Sequence, residues 1–438
     1  MKKSDPIAII GGGYAGMAAA MELAAHGQPL EVFEAGPVLG GRARRVEIDG
    51  VVLDNGQHMA IGAYAELLRL MQLAGMAEAE GFVRTPLELD VQQGSQRVFR
   101  LACPRLPAPL HTLAGLLWAD GLSWGERISA IRAMAGAQLR GFQLAQDTTV
   151  ARWLADHGQS AHLVRCLWEP LTLAALNTPI ATASAQVLLN VLRDSLAGKR
   201  AASDFLLPAT DLSALFPEAA GRYLAERNGT VHTGAMVKQV GRSADGWQLD
   251  RSDRRYSQLI LALPPHRLAM LAAHLPALAP ACALLDEWAW QPIYTVYLRY
   301  PSGTRLPKAM QGMVGSSTQW LFDRGRLCGQ DGLLAAVISA EGPHEAWSQA
   351  QLAATVTAEI AQAHPQLPAP LWHKVIAEKR ATFACTAGLQ RPGNATADPA
   401  LWLAGDYTAG DYPATLEGAV RSGVAAARAC LAAPPPIG

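Results

Sequence analysis

Cysteine is scarce in this 438-residue chain, and its six cysteines lie far apart without any C-x-x-C pair. That spacing argues against a zinc site and against a disulfide scaffold, so we expect no bound metal. A protein without disulfides fits a reducing compartment, and the cytoplasm is therefore the simplest location.

An excess of one charge is also absent, because 37 lysines and arginines balance 37 aspartates and glutamates. Without a basic face, the chain is not expected to bind nucleic acid. No stretch of eighteen uninterrupted apolar residues occurs, so we expect no transmembrane helix. Lys2 and Lys3 are followed by Asp5, Pro6 and three glycines, which argues against a secretory signal.

The start of the chain does contain a strand, a glycine turn, a helix and a second strand in succession. The apolar run Ile7–Ile10 leads directly into glycines, and the second apolar run ends at Glu34. Gly11 permits a tight turn, Gly13 lets the backbone approach a pyrophosphate, and Gly16 lets the helix pack closely on the strand. The helix N–H groups attract phosphate, and Glu34 is placed to accept hydrogen bonds from a ribose. The pattern predicts a dinucleotide site.

Three further segments favour FAD as the dinucleotide. Gly40 and Gly41 let the chain pass close to a ligand, so that Arg42 can reach a phosphate oxygen. A second segment is 54–58, and the third is a strand that ends in Gly-Asp before a helix start at 413–419. The predicted cofactor-binding residues are Gly11, Gly13, Tyr14, Ala15, Gly16, Glu34, Gly40, Gly41, Arg42, Gly56, Gln57, His58, Val237, Gly405, Asp406, Glu417, Gly418 and Ala419.

The motifs GGGYAG…E…GGRAR at the start and LAGD…EGA at the end resemble the FAD-dependent amine oxidase and phytoene desaturase superfamily. Blocks between them, among them DNGQHMAIGAY (54–64), CLWEPLTLAALNTP (166–179) and QWLFDRGR (319–326), resemble its squalene-associated branch, the hydroxysqualene dehydroxylases. The resemblance implies reductive removal of a hydroxyl group from a C30 isoprenoid alcohol, giving squalene for hopanoid synthesis. No second G-x-G-x-x-G occurs, so the electron donor is expected to be external, and its identity stays open.

The fold that the resemblance implies is α/β, with a Rossmann-like FAD-binding domain interleaved with an α+β substrate domain. We predict FAD-binding parts at 1–85, 206–270 and 386–432, substrate-domain parts at 86–205 (largely helical) and 271–385 (strand-rich), and a flexible tail at 433–438. In such folds Val237 fits a strand whose backbone meets adenine, although a core valine is an equal interpretation.

Removal of a hydroxyl group as water requires an acid, and four residues are candidates. Glu169 lies among apolar neighbours, where a desolvated carboxyl keeps its proton, unless it pairs with Arg165. Asp194 and Asp204 are alternatives that equally fit helix caps or ion pairs. His58 is placed under the flavin, as an acid or as a structural histidine.

Six aromatic residues are predicted to line a substrate cavity or, individually, to be core: Trp290, Tyr294, Trp320, Phe322, Tyr407 and Tyr412. Residues 106–145 mix apolar faces with arginines, a composition that fits either contact with a membrane surface or packing within the domain. Two other functions remain open: an oxidative isoprenoid desaturase or amine oxidase on the same fold, and a lipid escort without catalysis. The intact glycines, Arg42 and Asp406 argue against the escort.

Overall fold

The computed structural model describes residues 5–243 and 246–433, so residues 434–438 of the predicted tail lie outside the described residues. Its strands are β1 Ile7–Ile10, β2 Leu30–Phe33, β3 Arg45–Ile48, β4 Val51–Asp54, β5 Ala60–Ile61, β6 Phe82–Thr85, β7 Glu88–Gln93, β8 Gln96–Ala102, β9 Phe205–Pro208, β10 Gly229–His232, β11 Val240–Ser243, β12 Gly246–Leu249, β13 Ser252–Tyr256, β14 Gln258–Leu261, β15 Trp290–Arg299, β16 Met310–Met313, β17 Trp320–Asp323, β18 Leu333–Ser339, β19 Trp372–Phe383 and β20 Leu401–Leu403.

Its α-helices are α1 Tyr14–Ala25, α2 Ala65–Leu73, α3 Glu78–Gly81, α4 Leu110–Leu117, α5 Trp124–Leu139, α6 Val150–Asp156, α7 Ala161–Leu163, α8 Glu169–Leu176, α9 Ala185–Leu192, α10 Leu212–Leu215, α11 Pro217–Ala225, α12 Pro265–Ala272, α13 Ala279–Asp286, α14 Arg324–Cys328, α15 Gln349–Ala363 and α16 Leu416–Ala432. Among the described residues, none of these helices is both long and apolar enough to cross a lipid bilayer.

A five-stranded parallel sheet carries the glycine turn, in the order β10-β2-β1-β14-β20. Strands β1, β2, β14 and β20 are buried along their whole length, as expected for a parallel sheet covered on both faces. Helices α1 and α16 pack together so closely that a Cβ at Gly423 would overlap the carbonyl oxygen of Ala15. The five strands come from the three stretches predicted to bind FAD, whereas the exact domain boundaries stay a prediction.

A seven-stranded sheet, in the order β19-β15-β18-β17-β16-β7-β8, lies opposite the carboxyl ends of the parallel strands. Both faces of β15 are buried, but against different partners. Tyr294 and Val296 join a core cluster with residues of α15. Tyr297 instead donates to the carbonyl oxygen of Asp54 at the end of β4, and Thr295 accepts from the N–H of Gln57 just after it. Because side chains alternate along a strand, each residue of β15 serves only one of these two faces.

Helices α4 to α9 form the largely helical part of the chain, and two π-helical turns interrupt them. One spans Val164–Trp168 before α8, and the other spans Arg193–Ala197 after α9. A π-helical turn inserts an extra residue into the helical repeat and rotates the side chains that follow it. Both turns therefore change which residues face the interior.

Candidate functional site

A cavity of about 1120 Å³ lies between the carboxyl ends of the parallel strands and one face of the seven-stranded sheet. This volume exceeds the ~300–1,000 Å³ of most small-molecule pockets and is suited to a ligand as long as a dinucleotide. Its lining includes fifteen of the predicted cofactor-binding residues, namely Gly11, Gly13, Tyr14, Ala15, Glu34, Gly40, Gly41, Arg42, Gly56, Gln57, His58, Val237, Gly405, Asp406 and Ala419. We call this cavity the cofactor cleft.

The glycine turn and the start of α1 line the cofactor cleft. Gly11 has a φ of +112° that strongly favours glycine, and a Cβ there would overlap the carbonyl oxygen of Ala262. A Cβ at Gly16 would likewise overlap the carbonyl oxygen of Gly11. Helix α1 begins at Tyr14 after Gly13, which has no side chain to cap it, and its first turn holds no acidic residue. Its N-terminal N–H groups therefore suit a phosphate, which is the fit that FAD requires.

Glu34 follows β2 and is held in one orientation by two backbone donors. The N–H groups of Gly12 and Gly36 each donate to its carboxylate at 2.7 Å. The side chain lines the cofactor cleft, so its remaining lone pairs can accept hydrogen bonds from a ribose. This is the position that the sequence predicts for the acidic end of the motif.

Arg42 and Asp406 connect the two ends of the chain across the cofactor cleft. The Arg42 guanidinium donates to Asp406 Oδ1 and to the Ala381 carbonyl oxygen, both at 2.6 Å. In this structure the partner of Arg42 is thus a carboxylate. Whether Arg42 also contacts a phosphate stays a prediction.

A buried ion pair that the sequence analysis missed fixes the segment under the cleft. Arg324 donates to Asp54 Oδ2 and to Gln57 Oε1, each at 2.9 Å, and both charged side chains are at most 4% exposed. Asp323, the sequence neighbour of Arg324, instead caps α14 through the N–H of Arg326. The pairing joins α14 to the segment after β4, so only the tertiary fold reveals it.

His58 lines the cofactor cleft as a neutral histidine. Its Nδ1 lies 2.9 Å from the Gly56 carbonyl oxygen, which can only accept, so Nδ1 carries the proton and Nε2 a lone pair. Burial lowers the pKa of His58 below its ordinary 6.5. A neutral imidazole is not the acid that the sequence analysis considered, and the structural interpretation fits the hydrogen bond better.

Three predicted cofactor residues do not line the cleft. Gly16 serves packing, as described above. Glu417 is fully buried and accepts hydrogen bonds from the N–H groups of Glu66 and Leu67, while Arg421 pairs with it at 2.6 Å. Its carboxylate therefore caps α2 and is not directed at a cofactor, which corrects the prediction for this side chain. A Cβ at Gly418 would lie 2.8 Å from the Pro413 carbonyl oxygen, so the space beside this glycine is occupied by the protein itself.

Val237 lines the cleft from an extended segment between β10 and β11, not from a strand as expected. The prediction that its backbone meets adenine stays untested. On either side of Val237, the backbone N–H groups of Ala235 and Lys238 donate to the Glu34 carbonyl oxygen and to the Asp250 carboxylate.

A second, apolar cavity of about 140 Å³ adjoins the cofactor cleft. The two cavities share the lining residues Met59, Tyr64, Ala174, Ala175 and Thr415. Asp194 is the one charged residue among the described residues that line the apolar cavity. The volume is below the ~300–1,000 Å³ that encloses a drug-sized ligand, so a long hydrocarbon would extend beyond it.

Asp194 lies on the π-helical turn after α9 and is held by two donors. The Tyr412 hydroxyl donates to its Oδ2 at 2.6 Å, and Arg193 donates to its Oδ1 at 2.7 Å. Burial alone would raise the pKa of Asp194, but the hydrogen bonds from Arg193 and Tyr412 outweigh it and lower the pKa. The lowered pKa favours an ionised Asp194 carboxylate near neutrality over a proton donor, and its catalytic role stays a prediction.

Glu169 and Asp204, the other two carboxylic acids that were considered, line neither cavity. Glu169 is only half-buried, lines neither cavity and pairs with no other described residue. Its expected alternative partner Arg165 donates instead to Gln93. Asp204 is buried in ion pairs with Arg200 at 2.8 Å and Arg84 at 3.1 Å, which is a structural role.

The six predicted cavity aromatics separate into three groups. Trp320, Phe322 and Tyr407 line the cofactor cleft, and Tyr412 lines the apolar cavity. Tyr407 is buried, and its hydroxyl has no hydrogen-bond partner among the described residues, which suits a wall that meets a polar ligand. Tyr294 faces α15 and stacks edge-on with His344 at 5.0 Å, and Trp290 packs against Trp288, so neither lines a cavity.

Comparisons with known proteins also identify a family of flavin enzymes. The family model described as flavin containing amine oxidoreductase matches residues 14–431. The hydroxysqualene dehydroxylase of Sinorhizobium fredii is 28% identical over 445 residues, covering 97% of this chain and 97% of that protein. That of Rhodopseudomonas palustris is 29% identical over 449 residues, covering 98% and 99%. The solved structure of cyclohexylamine oxidase from Brevibacterium oxydans superimposes with a TM-score of 0.69 at 18% identity, covering 98% of both chains. The predicted fold class is confirmed.

Proposed function

The chain belongs to the flavin-containing amine oxidoreductases, and from this membership we propose that it removes the hydroxyl group of hydroxysqualene reductively, giving squalene for hopanoid synthesis. That it is an oxidoreductase with FAD as cofactor follows from the family itself. The substrate and the direction of electron flow are the proposal. Two relatives that are similar over almost their whole length are named for this substrate.

The observation that carries the proposal is the apolar cavity that adjoins the cofactor cleft. Its walls are almost entirely aliphatic and aromatic, among them Leu89, Leu101, Leu167 and Phe205. Hydrocarbon segments bind such walls because burial removes apolar surface from water. A long isoprenoid can fill this cavity with one segment and reach the cofactor cleft through the shared lining.

The chemistry requires that the C–O bond breaks and that the hydroxyl group takes up a proton and leaves as water. Reduced FAD, when bound, supplies the hydride that replaces the departing hydroxyl group. The allylic carbon carries positive charge while the bond breaks. The protein must therefore hold the hydroxyl group, exclude bulk water and stabilise that positive charge.

Asp194, oriented by Tyr412, is suited to stabilising the positive charge. Asp194 is the one charged residue among the described residues that line the apolar cavity, so its carboxylate can stabilise positive charge that develops on a substrate there. The Tyr412 hydroxyl orients this carboxylate at 2.6 Å. At the junction of the two cavities, Tyr64 supplies a hydroxyl group that can hydrogen-bond the substrate oxygen.

The test is an anaerobic incubation of the chemically reduced holoenzyme with hydroxysqualene, followed by flavin absorbance and by mass spectrometry of the lipid products. We expect flavin reoxidation with one squalene formed per flavin. Reduction of the oxidised enzyme by a saturated isoprenoid or by an amine, without any dehydroxylation, would instead establish a desaturase or an amine oxidase. Purified protein without the yellow colour of a flavin would establish the lipid escort.

A further inference from the structure

The outer surface of α4 and α5 is unusually apolar. Twelve large apolar side chains are exposed in the described part of the chain, and seven lie between Leu106 and Leu139. They are Leu106, Leu110, Leu113, Trp118, Trp124, Ile128 and Leu139. Trp118 is 73% and Trp124 65% exposed, which is rare for tryptophan in a water-soluble surface. We call this surface the α4–α5 face.

The exposed side chains follow one stripe of each helix. On α5, Trp124, Ile128 and Leu139 recur at intervals of four and eleven residues, which places them on the same side of the helix. On α4, Leu110 and Leu113 lie one turn apart. The pattern is an apolar helix surface turned outward, where a soluble domain normally places polar residues.

The inner sides of the same helices form a wall of the apolar cavity. Thr112 and Leu116 of α4 and Met134 of α5 line that cavity. One layer of helices, roughly 10 Å thick, therefore separates the apolar cavity from the α4–α5 face. Helices α4 and α5 are therefore apolar both on the side that faces the cavity and on the side that faces solvent.

Unpaired cations accompany the apolar side chains. Residues 105–140 contain four arginines and two acidic residues. Arg105 and Arg132 form no hydrogen bond or ion pair with any described residue, whereas Glu126 is bound by Ser123 and Ser160. A two-fold dimer through this face would bring like charges together inside an apolar interface, which is unfavourable. Anionic headgroups would instead pair with these arginines while the acyl region receives the apolar side chains.

We propose that the α4–α5 face is a docking surface for an anionic lipid bilayer. The tryptophans and leucines enter the boundary between headgroups and acyl chains, and Arg105 and Arg132 bind the anionic headgroups. Docking places the helices that cover the apolar cavity against the bilayer, so a lipid-dissolved hydrocarbon can pass between them. The docking itself does not depend on the proposed reaction.

The test is co-sedimentation of the holoenzyme with phosphatidylglycerol–phosphatidylcholine vesicles and with pure phosphatidylcholine vesicles, at low and high salt. We expect binding to the anionic vesicles that weakens with salt. The Trp118→Gln/Trp124→Gln double variant is expected to lose ~10-fold or more of its binding, because two aromatic side chains no longer leave water. The Arg132→Glu variant is expected to lose at least about fivefold.

Two matched substitutions outside this face serve as controls. Leu371→Gln changes another exposed apolar residue (68% exposed), and Arg222→Glu another exposed arginine. Both are expected to bind vesicles like the wild type. Absence of binding to anionic vesicles at low salt, or equal binding by the tryptophan double variant, would overturn the proposal. So would a concentration-dependent dimer in analytical ultracentrifugation that disappears in the double variant, because a second copy would then cover the face.

Discussion

Replacement of Asp194 by asparagine removes the charge from the apolar cavity while nearly keeping its shape. The amide oxygen can still accept the Tyr412 hydroxyl, which is 2.6 Å from the carboxylate in the wild type. A carboxylate about 4 Å from a unit positive charge contributes roughly 4 kcal/mol at an effective dielectric constant of about 20. Arg193, at 2.7 Å, offsets part of this. If half of this stabilisation remains after the offset, the substitution raises the activation free energy by about 2 kcal/mol. The rate constant for flavin reoxidation is then expected to fall roughly 30-fold.

The assay is single-turnover flavin reoxidation of the anaerobically reduced enzyme mixed with hydroxysqualene. Because the substitution acts on charge that develops during the reaction, the maximal rate constant of reoxidation should fall while the half-saturating hydroxysqualene concentration changes little. The matched control is Asp411→Asn. Asp411 pairs with the same Arg193 at 3.1 Å but is 62% exposed and does not line either cavity. A wild-type rate in Asp194→Asn, or an equal loss in Asp411→Asn, would refute the electrostatic role of Asp194.

Three further predictions concern the cofactor cleft and its support. Gly16→Ala places a Cβ onto the Gly11 carbonyl oxygen, so the purified variant should contain much less FAD per chain by absorbance than the wild type, and Gly125→Ala, where a Cβ meets open space, should keep it. Arg324→Met leaves Asp54 buried without its partner, which should lower the free energy of unfolding by about 3–5 kcal/mol in urea titrations, whereas a loss below about 1 kcal/mol would contradict a structural role for the pair. Burial raises the pKa of Glu22, but hydrogen bonds from Arg428 and Arg69 outweigh it and lower the pKa below 4.5. The carboxylate thus stabilises the fold above pH 4.5 and loses this contribution as the pH falls further, so wild type and Glu22→Gln should differ in stability at pH 6 and converge in acid.

The cofactor half was predictable because its determinants are local. Gly11, Gly16 and Glu34 lie in one short segment, and their spacing specifies a turn, a helix contact and a strand end without knowledge of the remaining chain. The comparisons confirm the flavin and the fold, and the cavity lining places most predicted residues together. The contacts of each candidate with FAD stay predictions.

The substrate half was less predictable because its determinants are tertiary. Strand β15 is apolar on both faces, so its alternation cannot tell whether Tyr294 faces the cleft or α15. Glu169 directly follows a π-helical turn, where the helical phase shifts, and it lines neither cavity despite its apolar neighbours. Glu417 stands in a cofactor motif yet caps a helix that is remote in sequence. Only packing decides these three cases.

The Arg42–Asp406 pair joins residues that are 364 positions apart in the chain. During synthesis on a ribosome, the glycine turn emerges long before Asp406 and α16 exist to close the other side. The yellow colour of the holoenzyme should therefore develop only after the last helix has been released from the exit tunnel. A premature stop anywhere before residue 406 should give a colourless product, however well its earlier strands fold.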